Sequence, residues 1–321
     1  MGHDIYFYEA FEEEEQSLRS FLPADINAGF TWKTIQEAGH DAPPAEIIST
    51  RTQSIYPPDW ASRLRAILSR STGYDHLLRY RRESGFSGPL AYLPLYCNRA
   101  VAEQALMLWL MLLRRMPRQM EQFARFERDG ITGGELGGRT LAVYGVGNIG
   151  REVAGIGAAL GMRVVGVDIV QRHKEVSYVT GEEAAAEADI IVAAMNLTPE
   201  NSDYFDESFW RRCKKGVIFV NISRGELSPA VVLEKAMEAG IIGGLALDVF
   251  NHEKALAARL RGGEKNDDDE VAALMRLKEK DTVIMTPHNA FNTVESVRRK
   301  SQQSVEQFLH FRETGRFIWA V

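Results

Sequence analysis

Short apolar runs alternate with polar, helix-forming stretches along most of the chain. In the first hundred residues the runs over 5–8, 46–49 and 66–68 predict strands. From residue 140 the rhythm is more regular, and six further runs predict strands: Leu141–Tyr144, Arg163–Val167, Ala188–Ala193, Val217–Asn221, Gly244–Val249 and Val283–Thr286. Strands that alternate with helices are typical of parallel sheets covered by helices on both faces. The pattern therefore predicts an α/β fold with a doubly wound sheet.

Three other segments differ from this rhythm. The stretch 99–115 is apolar around most of its circumference, which predicts either a buried core helix or a helix at a dimer interface; the two are compatible. Residues from about 292 onward predict a helix that carries charges of both signs. Residues 262–270 are charged and begin with glycine, so they predict a solvated surface segment.

Length and composition narrow the class of protein. A chain of 321 residues favours two domains, because a single core stops growing at about 250–300 residues. The net charge of −6 gives no reason to expect general affinity for nucleic acid or an anionic membrane. The two cysteines, Cys97 and Cys213, do not make a disulfide framework, which favours the reducing cytoplasm. The apolar run 105–113 is too short to span a bilayer, and we assign no metal site.

A glycine motif follows the strand predicted at 141–144. Gly145, Gly147 and Gly150 fit G-x-G-x-x-G, with Asn148 and Ile149 at the predicted start of the next helix. In a dinucleotide-binding loop, the first glycine permits the tight turn and the second lets the backbone approach the pyrophosphate. The third allows close helix packing. The pyrophosphate then lies at the positive end of the helix dipole.

An acidic residue ends the next predicted strand. Asp168 lies 18 residues after Gly150, where a carboxylate can accept hydrogen bonds from the adenosine ribose hydroxyls. It would repel a 2′-phosphate, so the sequence favours NAD over NADP, although Arg172 is close enough along the chain to weaken that preference.

Polar residues follow three later strands, at the sheet edge where an α/β protein places its ligands. Arg224 offers a fork for a substrate carboxylate, and His288 a proton donor near neutral pH. Glu253 beside the histidine would keep it protonated for reduction of a carbonyl. Each residue alone also fits a structural role: a surface ion pair, a solvated loop acid or a turn residue. Periodicity does not show that the three converge.

Several blocks of sequence together resemble the D-isomer-specific 2-hydroxyacid dehydrogenases, and within that family the D-lactate dehydrogenases. The resemblance covers nearly the whole chain. It rests on the glycine loop and four other blocks: Glu135-Leu-Gly-Gly-Arg-Thr, Asn221-Ile-Ser-Arg-Gly, Ala246-Leu-Asp-Val-Phe and Thr286-Pro-His-Asn-Ala. The resemblance implies two Rossmann-like or flavodoxin-like parallel-sheet domains with an active-site cleft between them. Residues 1–98 plus 292–321 would form the substrate domain, and 99–291 the inserted NAD-binding domain.

The resemblance also assigns roles to residues. Arg224 would bind and polarise the substrate, Glu253 would pair with His288, and His288 would be the acid/base. Asp248 would face the nicotinamide amide, and Ser223 would belong to the cofactor loops.

In the first domain, the turn with Thr72 and Gly73 would hold the substrate carboxylate through backbone amides. Tyr96 and Phe291 would lie near the substrate. One departure from the family falls at Asn196, a cofactor-loop position where the family usually has proline.

These observations lead to one preferred function and two alternatives. The preferred function is NAD-dependent, reversible reduction of a small 2-oxo acid, with pyruvate and D-lactate as the pair. The first alternative is the same chemistry on glyoxylate, hydroxypyruvate or a bulkier acid. Arg51 could serve a second anionic group there, although a solvent-exposed arginine is the simpler and preferred explanation. The second is a non-catalytic NAD(H)-sensing protein of the same fold. The resemblance also implies a homodimer formed through the helix near 99–115.

Overall fold

A computed structural model describes residues 2–262 and 268–321. Most of the charged segment predicted at 262–270 lies outside the described residues. The chain divides into two compact units, residues 1–97 with 292–321 (unit 1) and residues 98–291 (unit 2). Among the described residues, no helix combines the length and the apolar character needed to cross a membrane.

Unit 1 contains a five-stranded parallel sheet in the order β2-β1-β3-β4-β5. Its strands are β1 (Ile5–Phe7), β2 (Ala28–Phe30), β3 (Ile47–Thr50), β4 (Ala66–Ser69) and β5 (Leu90–Ala91). This is the flavodoxin-like strand order. The helices are α1 (Glu12–Phe21), α2 (Ile35–Ala38), a 3₁₀ turn (Pro58–Ser62), α3 (Asp75–Ser84) and, from the end of the chain, α12 (Val294–Thr314).

The core of unit 1 forms where apolar strand residues meet aromatic side chains. β3 and β4 are buried along their whole length, as continuous apolar strands in a covered parallel sheet must be. Tyr8 and Trp60 are nearly inaccessible and pack in one cluster with Ile48 and Ile67. The sheet is therefore a rigid base for the loops that leave its strand ends.

Unit 2 contains a seven-stranded parallel sheet in the order β12-β11-β10-β9-β6-β7-β8. Its strands are β6 (Thr140–Tyr144), β7 (Arg163–Val167), β8 (Ser177–Tyr178), β9 (Ile190–Ala193), β10 (Val217–Asn221), β11 (Ile242–Leu247) and β12 (Val283–Met285). The chain builds outward from β6 in one direction and then returns to build from β9 in the other. This reversal is the topological switch point of the Rossmann order. The predicted pair of parallel-sheet α/β domains is confirmed.

The helices of unit 2 cover its sheet. They are α4 (Asn98–Leu113), α5 (Met116–Phe123), α6 (Asn148–Ala159), α7 (Gly181–Glu187), α8 (Glu207–Trp210), α9 (Ala230–Glu238), α10 (Glu253–Leu260) and α11 (Asp269–Leu277), with a 3₁₀ turn at Gly225–Leu227. α4 packs on α6, β10 and β11, so the predicted apolar helix is a core helix of this unit. Pro117 lies in the first turn of α5, where its missing N–H costs nothing.

Candidate active site

The glycine loop joins β6 to α6 at the switch point. Gly145 has φ +91°, a left-handed conformation that favours glycine. A Cβ at Gly150 would overlap the carbonyl oxygen of Gly145, so the helix packs against the loop only without a side chain there. A Cβ at Gly147 would meet no protein atom within 4 Å. The backbone at Gly147 is therefore open to a ligand, while Gly145 and Gly150 are required by the turn itself.

Asp168 stabilises the same loop. One of its oxygens accepts a hydrogen bond from the Val146 amide (2.6 Å), and the other accepts one from the Val170 amide (2.9 Å). A carboxylate has about four acceptor positions, so capacity remains for ribose hydroxyls.

The N-terminus of α6 follows the glycine loop. Its N-cap residue, Gly147, has no side chain to cap the helix, and Asn148 in the first turn is exposed. The amides at this end of the helix suit an anionic group.

The Arg224 turn follows β10 and is held by a buried asparagine. Asn221 donates from Nδ2 to the Arg224 carbonyl (2.9 Å) and to Ser228 Oγ (2.8 Å). Its Oδ1 accepts a hydrogen bond from the Ser223 amide (3.0 Å). Arg224 itself donates from Nη1 to the Ser223 carbonyl (2.8 Å). These bonds fix the backbone from which the guanidinium extends.

Gly225 brings the Arg224 turn against the loop that follows β11. A Cβ on Gly225 would overlap the backbone of Phe250 and Asn251. Glu253 begins α10 only two residues later. Because β10 and β11 are adjacent and pair Asn221 with Leu247, the two loops leave the sheet side by side.

His288 and Glu253 form a hydrogen-bonded pair. The distance from His288 Nδ1 to Glu253 Oε2 is 3.0 Å, and each side chain is 28% exposed. An ionised carboxylate only accepts hydrogen bonds, so Nδ1 carries the proton of this bond. Nε2 is then the ring nitrogen that can exchange a proton with a ligand.

Asp248 holds the His288 turn in place. Its carboxylate accepts hydrogen bonds from Thr286 Oγ1 (2.5 Å) and from the amides of Asn289 and Ala290 (both 2.9 Å). These donors flank His288, whose φ of +52° is unusual for a residue with a side chain. Burial raises the pKa of Asp248, and the three hydrogen bonds oppose that effect. The aspartate thus compensates a strained backbone next to the histidine.

In unit 1, the turn after β4 presents two backbone amides. Ser71 Oγ donates to the Gly73 carbonyl (2.7 Å), and Thr72 Oγ1 donates to the Leu93 carbonyl (3.2 Å). Within residues 2–262 and 268–321, the amides of Thr72 and Gly73 donate to no protein acceptor. Such donors, held in a tight turn, suit an oxyanion.

The remaining predicted residues occupy different surroundings. Tyr96 is buried in unit 1, where its carbonyl accepts a hydrogen bond from Arg299 Nε (2.8 Å). Phe291 is buried at the end of unit 2. Asn196 is exposed in the loop after β9, and its carbonyl accepts a hydrogen bond from Asn201.

The family model for the NAD-binding domain of D-isomer specific 2-hydroxyacid dehydrogenases matches residues 106–290, more than half of the chain. The chain belongs to the D-isomer specific 2-hydroxyacid dehydrogenase family. The predicted family, the NAD cofactor and the assignment as an NAD-dependent oxidoreductase are thereby confirmed.

Individual relatives support the same membership over most of the chain. It is 29% identical over 321 residues to D-lactate dehydrogenase of Streptococcus agalactiae serotype V, and the alignment covers 94% of this chain and 95% of that protein. It is 31% identical over 247 residues to D-lactate dehydrogenase of Escherichia coli, covering 75% and 74%. A crystal structure of D-lactate dehydrogenase from Aquifex aeolicus, complexed with NAD and lactic acid, superposes with a TM-score of 0.84 at 28% identity, covering 98% of both chains.

Three residues that support the candidate site were not singled out in the sequence analysis. They are Asn221, which holds the Arg224 turn, Gly225, which allows the close loop contact, and Thr286, which donates to Asp248. One signal was available: Asn221 is a polar residue at the end of the apolar run Val217–Val220. Gly225 and Thr286 also stand in blocks that carry the family resemblance, but their contacts are with distant residues, so no local pattern indicates what they touch.

Proposed function

We propose that this dehydrogenase catalyses reversible hydride transfer between NADH and the C2 carbon of a small 2-oxo acid, with pyruvate and D-lactate as the pair. The hydrogen bond between His288 Nδ1 and Glu253 Oε2, beside the Arg224 turn, carries the proposal. It combines a proton donor, a carboxylate that stabilises the protonated donor, and a cation.

Each residue of the pair has a defined part in the reduction. NADH supplies the hydride that forms the new C–H bond at C2. His288 gives the proton on Nε2 to the former carbonyl oxygen, which becomes the hydroxyl group. The neutral imidazole keeps its Nδ1–H bond to Glu253. In the oxidative direction Nε2 takes the hydroxyl proton back, and Glu253 stabilises the imidazolium that forms.

Arg224 is proposed to polarise the substrate. Its guanidinium provides positive charge and paired donors for the oxygens of a 2-oxo acid, where negative charge grows during reduction. The bonds from Asn221 hold its backbone before the substrate arrives. Pre-organised donors need no rearrangement at the moment of reaction, which is why they lower the barrier.

Unit 1 is proposed as the substrate domain. The amides of Thr72 and Gly73 would bind the substrate carboxylate, and the free donors of this turn support that assignment. Tyr96 and Phe291 would contact the C3 substituent of the substrate. Both side chains are large and buried, so they would suit a small substituent.

A further set of residues is proposed to bind NAD. The glycine loop would hold the pyrophosphate, Asp168 the adenosine ribose in preference to a 2′-phosphate, and Asp248 the nicotinamide amide. The full set is Gly145, Gly147, Asn148, Ile149, Gly150, Asp168, Asn196, Ser223 and Asp248. All of these residues follow or flank the carboxyl ends of strands β6, β7, β9, β10 and β11.

We also propose that the enzyme is a homodimer that works in the cytoplasm. Helix α4 lies within residues 99–115, and α5 follows it. The two helices carry three exposed apolar residues: Met107 is 43% exposed, Met120 62% and Phe123 76%. Exposed apolar side chains on two helices that contact each other suit a contact surface, and a second copy of the chain is the partner we propose. The free thiols of Cys97 and Cys213 are compatible with a reducing compartment.

The experiment is a set of initial rates of NADH oxidation with pyruvate, glyoxylate, hydroxypyruvate and longer 2-oxo acids, followed by chiral analysis of the product. We expect turnover with pyruvate and a product of D configuration. NADH binding without turnover of any acid would overturn the proposal and favour a non-catalytic NAD(H)-binding protein. Turnover that yields the L product would contradict the assigned stereochemistry.

A further inference from the structure

Hydroxyl side chains line the turn after β4, where the substrate carboxylate is proposed to bind. Ser69 ends β4, and Ser71 and Thr72 follow within three residues. Both serines are buried, so their hydroxyl groups need hydrogen-bond partners within the protein. The partners that they have connect the turn to His76, a residue of α3.

The hydrogen bonds between these side chains run in one direction. Ser71 Oγ donates to the Gly73 carbonyl at 2.7 Å, because a carbonyl oxygen only accepts. The single hydroxyl proton of Ser71 is then in use, so Ser69 must be the donor in the 2.5 Å bond between the two serine oxygens. Since the proton of Ser69 is used in turn, its Oγ accepts from His76 Nε2 at 3.0 Å.

This order fixes the role of His76. Its Nε2 carries a proton and donates to Ser69, and it does so whether the ring is neutral or protonated. Donation therefore runs from His76 through Ser69 and Ser71 to the Gly73 carbonyl, and we call these four groups the His76 relay. Hydrogen bonds in such a chain polarise and strengthen one another. The three side chains thus act on the Gly73 carbonyl as one unit.

Aromatic packing holds His76 at the far end of the relay. The histidine lies in the first turn of α3, and its ring is stacked on Tyr56, with centroids 6.3 Å apart and planes inclined by 8°. Tyr56 is buried, and its hydroxyl group is hydrogen-bonded to Thr50 Oγ1 at 2.5 Å. Thr50 ends β3, the neighbour of β4. The relay is therefore anchored on the sheet at both ends.

The relay acts on a peptide group that is fixed from the other side as well. The Leu93 amide donates to the Ser71 carbonyl at 3.0 Å, which sets the peptide plane that carries the Thr72 amide. The relay sets the plane that carries the Gly73 carbonyl. The Gly73 amide belongs to the one peptide plane between these two, so its direction depends on both. Loss of either restraint lets this plane rotate.

We propose that His76 is a positioning residue for the substrate, which acts through Ser69 and Ser71 to direct the Gly73 amide at the substrate carboxylate. The inference rests on the proposed function and deepens it, since it extends the substrate site to a side chain that does not touch the acid. A hydrogen bond to a carboxylate weakens as its angle departs from linear. The carboxylate keeps its charge during reduction, so the effect falls on KM and not on kcat.

Two variants of His76 separate its hydrogen bond from its packing. His76→Phe keeps an aromatic ring on Tyr56 but has no N–H donor, whereas His76→Gln keeps an N–H donor near the position of Nε2. We expect His76→Phe to raise KM for pyruvate, and the Kd of oxamate on the NADH-loaded protein, by about tenfold. Its kcat and the Kd of NADH should change by less than about threefold, and His76→Gln should restore KM. The control is Ser84→Ala, which removes another hydroxyl group of α3 and should change neither constant.

A double-mutant cycle tests whether His76 acts through the relay. Ser71→Ala should raise KM and the Kd of oxamate like His76→Phe, and the double variant should be no weaker than Ser71→Ala alone, because both changes interrupt one path. Circular dichroism shows whether each variant is folded; if His76→Phe is not, Ser69→Ala replaces it, since it disconnects His76 from Ser71.

Several results would overturn the inference while pyruvate turnover stands. They are losses that add in the double variant, an unchanged KM in Ser71→Ala, and a fall in kcat at constant KM. If the unaltered protein reduces no 2-oxo acid, the proposed function fails and the oxamate titrations decide alone. Binding that is weaker in Ser71→Ala then supports the inference, and binding that is equal in both proteins, or absent, overturns it as well.

Discussion

At the scale of single residues, the candidate site depends on buried polar groups that hold the reactive ones. His288 and Arg224 both extend from turns, and turns are mobile unless their backbone groups are bonded. Asp248 accepts three hydrogen bonds around His288, and Asn221 forms bonds on both sides of the Arg224 turn. The aspartate is a positioning residue for His288 in addition to its proposed contact with nicotinamide.

Asp248→Asn tests that positioning role. An amide nitrogen in place of one oxygen would face an N–H or O–H donor, so at least one of the three bonds is lost and the His288 turn relaxes. We expect kcat to fall by about 10²-fold, the effect of moving a reacting group by about 1 Å, with less than a tenfold change in the Kd of NADH. Stopped-flow NADH binding together with steady-state rates separates the two constants.

Thr286→Val is the matched variant for this prediction, because it removes only one donor to Asp248. It should lower kcat in the same direction by a smaller factor. A large increase in the Kd of NADH at unchanged kcat, in either variant, would show that Asp248 acts on the cofactor and not on the histidine turn.

The sequence pointed more clearly to the proposed reactive residues than to the residues that hold them. Arg224 and His288 stand in recognisable blocks, Glu253 follows one such block by three residues, and the structure brings Glu253 to His288. The close approach at Gly225 and the bond from Thr286 to Asp248 join segments 25 or more positions apart in the chain. Such contacts are set by strand register, which a local pattern does not contain.

At the scale of secondary structure, most strands were predictable from their apolar runs, and three short edge strands were not. The strands at 163–167 and 217–221 were predicted with their observed bounds. The strands Ala28–Phe30, Leu90–Ala91 and Ser177–Tyr178 were missed. None of the three contains more than one large apolar or aromatic side chain, which is too few to show an apolar run, and these strands form because a neighbouring strand offers hydrogen bonds. The fold class was unaffected, since all three lie at sheet edges.

The helices α4 and α5 carry the prediction about assembly. Phe123→Glu places a charge on the most exposed aromatic residue of the proposed dimer surface. Burying that carboxylate against a second copy is costly, so we expect light scattering to show a dimer for the unaltered protein and a monomer for the variant. Phe126→Glu, at another exposed aromatic, tests how far the surface extends. A monomeric unaltered protein would contradict the proposed homodimer.

At the scale of the whole molecule, topology turns distant sequence positions into neighbours. Arg224 and His288 are 64 positions apart, yet each follows a strand of one parallel set, β10, β11 and β12, with Glu253 after the central strand. Parallel strands bring all their carboxyl ends to one edge, which is why an α/β sheet assembles a site from separate loops. The strand order of unit 2, more than any single motif, makes the proposed chemistry possible.

The central claim is that His288, held by Glu253, transfers the proton that accompanies hydride transfer. The most direct test is the rate of NADH oxidation with pyruvate by the unaltered protein and by His288→Gln, which keeps a hydrogen-bonding side chain but no titratable nitrogen. We predict a loss of about 10²–10⁴-fold in kcat, the usual contribution of general acid catalysis, with NADH binding changed by less than about threefold. A variant that reduces pyruvate at nearly the full rate would contradict this account.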